Sequence, residues 1–391
     1  MNLNKTLKIK NFEINLLDML ALIAIVTVGV LIRAFLYGFE STDYELYLSR
    51  WTSVLDSEGF SALSGSWYNY SGIYMYLLYI IAKLPCSYLA GIKTLSLIFD
   101  LLLAGAVACV VKLLNKDSNP LIPFGVVWFA PTVIANSGMW GQCDSIYAFF
   151  IVLSLYFILK DDSLKAMLFF SVAFALKLQS IFFAPVLILL FFLKKIKFWE
   201  FLLIPATYFV SILPMWIAGR PLIECLTIYM GQTGGNNDGI SINYPNIYYL
   251  LENDCYIDLY HVPAILFTVS VLLVIMYHIL KTCYKKGIDN SIIIQTALLA
   301  GSLILFFLPN MRERYSYVID IIAIIYALYI PKKYYVPVLK ILISFIGYQT
   351  YFVFGPYFNY EILAFIQIIL IFDCTVTLLK YLRDYNANGN Q

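Results

Sequence analysis

The sequence predicts an all-α polytopic membrane protein, on three observations. Of its 391 residues 61% are hydrophobic and only 13% charged, about half the charged share of a soluble domain. Apolar runs near the roughly 20 residues that cross a bilayer recur along the whole chain, from Leu17–Tyr37 to Ile362–Leu379. They leave no room for a separate soluble domain, so residues 1–391 read as one integral membrane domain.

The first run is too long for a signal peptide and lacks a small-residue cleavage site, so it reads as a retained helix. Lys and Arg collect in cytoplasmic loops, which orients the helices that follow. With both termini inside, Lys5, Lys8, Lys10, Lys112, Lys116, Lys160, Lys165, Lys194, Lys195, Lys197, Lys281, Lys285, Lys286, Lys332, Lys333, Lys380 and Arg383 all fall in inner segments. The other basic residues are Arg33, Arg50, Lys83, Lys93, Lys177, Arg220, Arg312, Arg314 and Lys340. Function is to be sought among these, because charge at or within the membrane is costly.

Simple alternation fails if both 71–91 and 93–113 span. The segment 71–91 contains Lys83, Pro85, Tyr74, Tyr76, Tyr79 and Tyr88, a composition suited to a helix lying at the outer interface. The stretch 164–193 then makes two short crossings that meet near Lys177-Leu178-Gln179. About 11–13 transmembrane helices result, with long outer loops at 38–92 and 219–261. Single cysteines at 115 and 160, in a background without native cysteines, are expected to label only from the cytoplasm, and those at 56 and 238 only from outside. Outside labelling at 115 would sink this topology.

Chemistry is expected on the outer side. The first loop carries Asp43-Tyr44-Glu45, Trp51 and Trp67-Tyr68-Asn69-Tyr70, acids that bond hydroxyls beside rings that stack on a sugar. Met139-Trp140-Gly141-Gln142-Cys143-Asp144-Ser145 opens a helix. There Asp144 is either a helix cap or a site residue. Pro120, Pro123 and Pro131 interrupt the preceding stretch, a pattern that borders membrane sites.

Pro309-Asn310-Met311-Arg312-Glu313-Arg314-Tyr315 sits between two apolar runs. Its arginines are headgroup anchors or, through their planar forks, phosphate ligands. Lys177 snorkels to the interface or reaches a lipid phosphate. The run 231–239 and Asn243-Tyr244-Pro245-Asn246 read as a connector able to cover a substrate.

Several classes are excluded. A net charge of +2 without charge blocks argues against a nucleic-acid partner. Seven cysteines without CxxC spacing, with His261 and His278 the only histidines, give no metal signature. Cys225 and Cys255 share a loop but read as isolated apolar residues.

At these motifs the chain resembles the GT-C superfamily of membrane glycosyltransferases, and most nearly the bacterial relatives of GPI mannosyltransferase II. The likeness rests on Asp43 and Glu45 after the first helix, on Trp140-Gly141-Gln142-x-Asp144-Ser145, on Lys177-x-Gln179, and on Arg312-Glu313-Arg314-Tyr315. Arg312 stands where such proteins often have histidine, and a proline common between the Lys and Gln is absent.

The resemblance implies a GT-C-like helical bundle with interfacial helices in its first outer loop. It also implies inverting transfer of a hexose from a polyprenyl-phosphate donor to a glycan, glycolipid or exported-protein acceptor, on the extracytoplasmic face of a bacterial plasma membrane. Asp43 would be the base. Asp144 and Glu45 would bind or orient acceptor and sugar, Arg312 with Arg314 would stabilise the leaving phosphate, and Trp140, Gln142, Lys177, Glu313 and Tyr315 would complete the substrate-binding set. No nucleotide site is implied, and a divalent metal remains open.

A flippase or exporter remains an alternative; it should show internal repeats and midplane charges, whereas no repeat at a fixed period is seen and the unusual charges read as lying at the outer edge. An O-antigen-type polymerase differs mainly in using an oligosaccharide diphosphate donor.

Overall fold

The computed structural model describes residues 6–9, 12–233, 240–251, 257–330, 332–353, 355 and 358–387. A short antiparallel hairpin of Thr6–Ile9 and Phe12–Asn15 precedes the first helix. Asn15 Oδ1 then accepts from Asp18 N–H at 2.7 Å, the cap that starts α1 (Leu16–Leu36).

The chain continues through α2 (Ser49–Glu58), α3 (Gly72–Ala82) and α4 (Tyr88–Leu114). The expected interfacial stretch 71–91 is thus an 11-residue helix and a turn, its last residues belonging to the long α4. At about 1.5 Å per residue, α3 reaches only about half a bilayer core.

The proline-interrupted stretch is a bent pair. α5 (Leu121–Trp128) and the continuation from α6 (Pro131–Ile134) through Trp140 meet at 54°. After α7 (Asp144–Leu159) and α8 (Ser163–Leu176) the chain is extended at Lys177, turns through Leu178–Phe183, and resumes as α9 (Ala184–Phe192). The break falls at the expected Lys177-Leu178-Gln179.

Then come α10 (Leu203–Ile217), α11 (Leu222–Leu226), α12 (Ile228–Thr233), α13 (Ile257–Cys283), α14 (Asn290–Phe307), α15 (Tyr317–Tyr329), α16 (Tyr335–Val353) and α17 (Tyr360–Ala387). α14 lies at the centre, 89% of its apolar window being buried inside the protein. The outward sides of α13 and α17 carry exposed Leu266, Leu273, Phe365 and Phe372, as lipid contact requires.

Among the described residues seven helices are long and apolar enough to cross a membrane, eight with the bent pair. Four shorter apolar helices stand beside them, Gly72–Ala82, Asp144–Leu159, Ser163–Leu176 and Leu178–Phe192, and the expected total of about 11–13 crossings requires several of these to cross as well.

The basic loops meet at one end. Lys195 pairs with Asp161 at 2.6 Å, and Lys194 lies 5.9 Å from the centre of the Tyr284 ring. Lys286 bonds the Asn386 carbonyl, and Tyr381 bonds Asp289 at 2.6 Å. α7 and α9 therefore end, and α8 begins, at that end. Asp144, Lys177 and the Arg312–Tyr315 segment lie at the other.

Candidate active site

Asp43 follows α1 at a turn fixed by its neighbours. Ser41 Oγ donates to the Trp140 carbonyl at 2.9 Å, and the Asp43 N–H donates to the Tyr351 hydroxyl at 2.9 Å. Directly after it the backbone widens into a π-helical turn, Tyr44–Leu48. A second such turn, Ala135–Trp140, faces it. Wide turns of this kind are common at functional sites because they re-aim side chains.

The second turn closes at Gly141, whose φ of 72° is left-handed, a conformation open to glycine at no cost. The Gly141 and Gln142 N–H groups both donate to the Asn136 carbonyl. That reversal aims two consecutive polar side chains at one target. Trp140 Nε1 (3.0 Å), Gln142 Nε2 (2.6 Å) and Arg314 Nη1 (2.8 Å) all donate to Asp43 Oδ2. Trp140 is held in turn by the Tyr351 ring, stacked at 4.2 Å, while the Arg314 guanidinium lies 5.6 Å from the centre of the indole ring. Residues 271 apart in sequence thus meet at one carboxylate.

Asp144 stands directly behind. It is the first residue of α7, one past the N-cap residue Cys143. Its carboxylate accepts from Asn136 Nδ2 at 2.8 Å and forms an ion pair with Lys177. Both partners are almost wholly buried. The cap reading of Asp144 therefore gives way to a buried pair that fixes the extended break between α8 and the turn after it.

A cavity of about 680 Å³ joins these groups. Asp43, Gln142, Lys177, Arg312, Arg314 and Tyr315 line it, as do the rings of Tyr47, Trp51, Tyr70 and Tyr74 from the stretch between α1 and α4. Asp43 is the only carboxylate among its described lining residues. Burial pushes the Tyr70 phenol well above its usual range, so it stays protonated and able to donate.

Not every expected residue reaches the cavity. Glu45 is exposed and does not line it. Glu313 is buried beneath the Arg312–Tyr315 segment, and desolvation there pushes its carboxyl up to about 7. Trp140 acts from behind Asp43. His261, Asn310 and Gln179 do line the wall.

The run 231–239 lies outside the described residues beyond Thr233, as does Cys255. The following Asn243–Asn246 segment is folded in, with Tyr244, Pro245 and Asn246 buried. Ser241–Ile242 pairs in parallel with Met311–Arg312, and Ile242 lines the cavity.

Several contributors are illegible in sequence. Tyr351 is one of 32 tyrosines. Asn136 and Ser137 did carry a signal, as adjacent polar residues in an apolar span. Beneath them Arg33 pairs with Asp100 at 2.8 Å, donates to Ser137 and to the Trp128 carbonyl, and lies 3.9 Å from the centre of the Trp128 ring. That pair props the Asn136–Trp140 turn from inside the bundle. An acid within a membrane span, Asp100, is the clue that a survey of basic residues passes over.

Among the described residues no three His, Cys, Asp or Glu side chains come together as a metal site. A helical membrane bundle whose cavity holds, among the described residues, one carboxylate, several cations and a wall of aromatic rings fits a GT-C-like membrane glycosyltransferase. The chain belongs to glycosyltransferase family 87, whose model matches residues 68–306, more than half its length. The match takes in Trp140–Ser145 and Lys177–Gln179; Asp43 and Arg312–Tyr315 lie to either side. No curated protein matches the chain.

Proposed function

We propose that this glycosyltransferase moves a hexose, such as mannose, from a polyprenyl-phosphate carrier to an acceptor hydroxyl with inversion. In this reading it works on the extracytoplasmic face of a bacterial plasma membrane, and its nearer kin are the bacterial relatives of GPI mannosyltransferase II. The observation that carries this reading is the shared cavity: Asp43 faces it beside Arg312, Arg314 and Lys177, a base and a cationic cradle in one space.

The acceptor hydroxyl attacks the anomeric carbon as Asp43 takes its proton, and the bond from that carbon to the phosphate oxygen breaks. The polyprenyl phosphate leaves as an anion, its developing charge met by the arginines and Lys177. A base at Asp43 fits one displacement, since a phosphate leaving group needs no general acid, whereas retention with a covalent intermediate would make a carboxylate the nucleophile. The ring wall suits the sugar. The end opposite the basic loops suits an outer-face site, where a glycan, glycolipid or exported protein is the acceptor.

Radiolabelled polyprenyl-monophosphate hexose, offered to purified protein with candidate acceptors, is expected to give labelled product. Transfer only from an oligosaccharide diphosphate would make the protein a polymerase. Movement of the intact lipid-linked sugar across the bilayer without transfer would make it a flippase.

Arg314→Ala is expected to weaken donor affinity roughly tenfold or more, as loss of a charge-assisted contact implies. Arg314→Lys should recover only part of it, since the planar fork that serves both Asp43 and phosphate is gone. Unchanged affinity in both variants would reduce Arg314 to an orienting partner of Asp43.

A further inference from the structure

Lys340 and Asp320 are buried charged residues on α16 and α15, away from the cavity and unused in the chemistry above. We infer that this cluster is a positioning device, a two-armed tether that holds Arg312 and Arg314 at the mouth of the cavity. The inference rests on the reading of those arginines as donor-phosphate ligands.

The first arm starts at Asp320. Ser344 Oγ donates to its Oδ1 at 3.1 Å, and the Ser344 and Ser316 hydroxyls share a hydrogen bond of 2.8 Å. Ser316 ends the short helical turn Glu313–Ser316, two residues after Arg314. The second arm starts at Lys340. Its Nζ donates to Gln367 Oε1 at 3.4 Å, and Gln367 Nε2 donates to the Tyr244 hydroxyl at 2.7 Å.

Tyr244 belongs to the outer segment whose strand, Ser241–Ile242, pairs with Met311–Arg312. Ser241 Oγ donates to the Tyr244 carbonyl at 2.8 Å, and the Asn310 N–H donates to the Ile240 carbonyl at 2.6 Å. Two hydrogen-bond chains from α15, α16 and α17 thus grip the Arg312–Ser316 segment at both ends, directly through Ser316 and by way of the strand partner of Arg312.

Charges inside a membrane domain are costly to keep, and apolar side chains would pack α15, α16 and α17 against one another as well. Simple helix glue would also have no reason to end on a tyrosine from an outer loop. Apolar packing lacks direction and would let the loop strand slide along Met311–Arg312, whereas a chain of directional hydrogen bonds fixes its register. The close approach of the loop fits this: a Cβ added at Gly347 on α16 would lie 2.4 Å from the Asn243 carbonyl oxygen.

Two readouts test the tether. The first needs no donor: the rate of disulfide formation between Ser241→Cys and Met311→Cys, a facing pair in the two strands, in a background without native cysteines. The second is the split between donor KM and kcat, measured without the added cysteines. Tyr244→Phe and Gln367→Leu should each slow the cross-link and raise donor KM about five- to tenfold, the worth of a buried hydrogen bond, with kcat within about twofold. Gln367→Glu should restore both, because its carboxylate accepts from Lys340 and from the Tyr244 hydroxyl alike.

Cross-linking at the parent rate in both deleting variants overturns the tether, and so does a slowed cross-link with unchanged KM. If the parent protein turns over no polyprenyl-phosphate sugar, the donor reading fails by itself. The cross-linking rate then decides, and equal rates in Tyr244→Phe and parent overturn the tether.

Discussion

Replacing Asp43 by Asn is expected to lower turnover by about 10²–10⁴-fold, the usual contribution of a general base, while donor affinity stays within a few-fold. Asn keeps the size of the side chain and one oxygen to accept from Trp140 Nε1 and Gln142 Nε2. It cannot take the acceptor proton. The surroundings of Asp43 make the substitution a test of chemistry, since its backbone is pinned by Tyr351 and its side chain sits at the cavity wall, not in the core. Rapid-quench turnover and equilibrium donor binding, measured on the same folded protein, separate the two effects. Near-normal turnover in Asp43→Asn together with an inactive Asp144→Asn would exchange the roles of the two acids.

Asp144 is expected to answer differently. Its carboxylate is the partner of a buried lysine, and removing one member of such a pair typically costs about 3–5 kcal/mol, because the other charge is left unpaired. Asp144→Asn should therefore lower thermal stability sharply in detergent or lipid, where Asp43→Asn does not. The double variant Asp144→Leu/Lys177→Met removes both charges and should recover much of that stability, yet stay poorly active because Lys177 lines the cavity. Thermal unfolding of the two variants side by side reads this directly. An Asp144→Asn protein as stable as the parent would mean that Lys177 finds its counter-charge elsewhere.

The outline of the fold was legible because bilayer thickness and the placement of lysines act on every segment alike. That physics marked the long first helix and the break at Lys177, and the prolines marked the bend before Pro131. It fails for short apolar helices: α3 and α8 look alike in hydropathy, and whether each crosses depends on what it packs against.

The polar motifs were legible as sites for a related reason, since charge beside apolar runs needs a purpose. Their pairings were not. Nothing local says that Arg314 reaches Asp43, or that Asp144 forgoes its helix cap for Lys177 on the next helix. The two π-helical turns that make these meetings possible follow from tertiary packing. The segment after the glycine-rich run reads as a connector, because glycine and asparagine suit loops, while the burial of Tyr244 depends on Gln367, 123 residues away.

The most direct test of single-displacement chemistry at Asp43 is the anomeric configuration of the product, read by NMR after transfer from a polyprenyl-phosphate hexose of known configuration. With Asp43 acting as the base of a single displacement, the product should carry the opposite configuration to the donor. Retention would contradict a single in-line displacement with Asp43 as base.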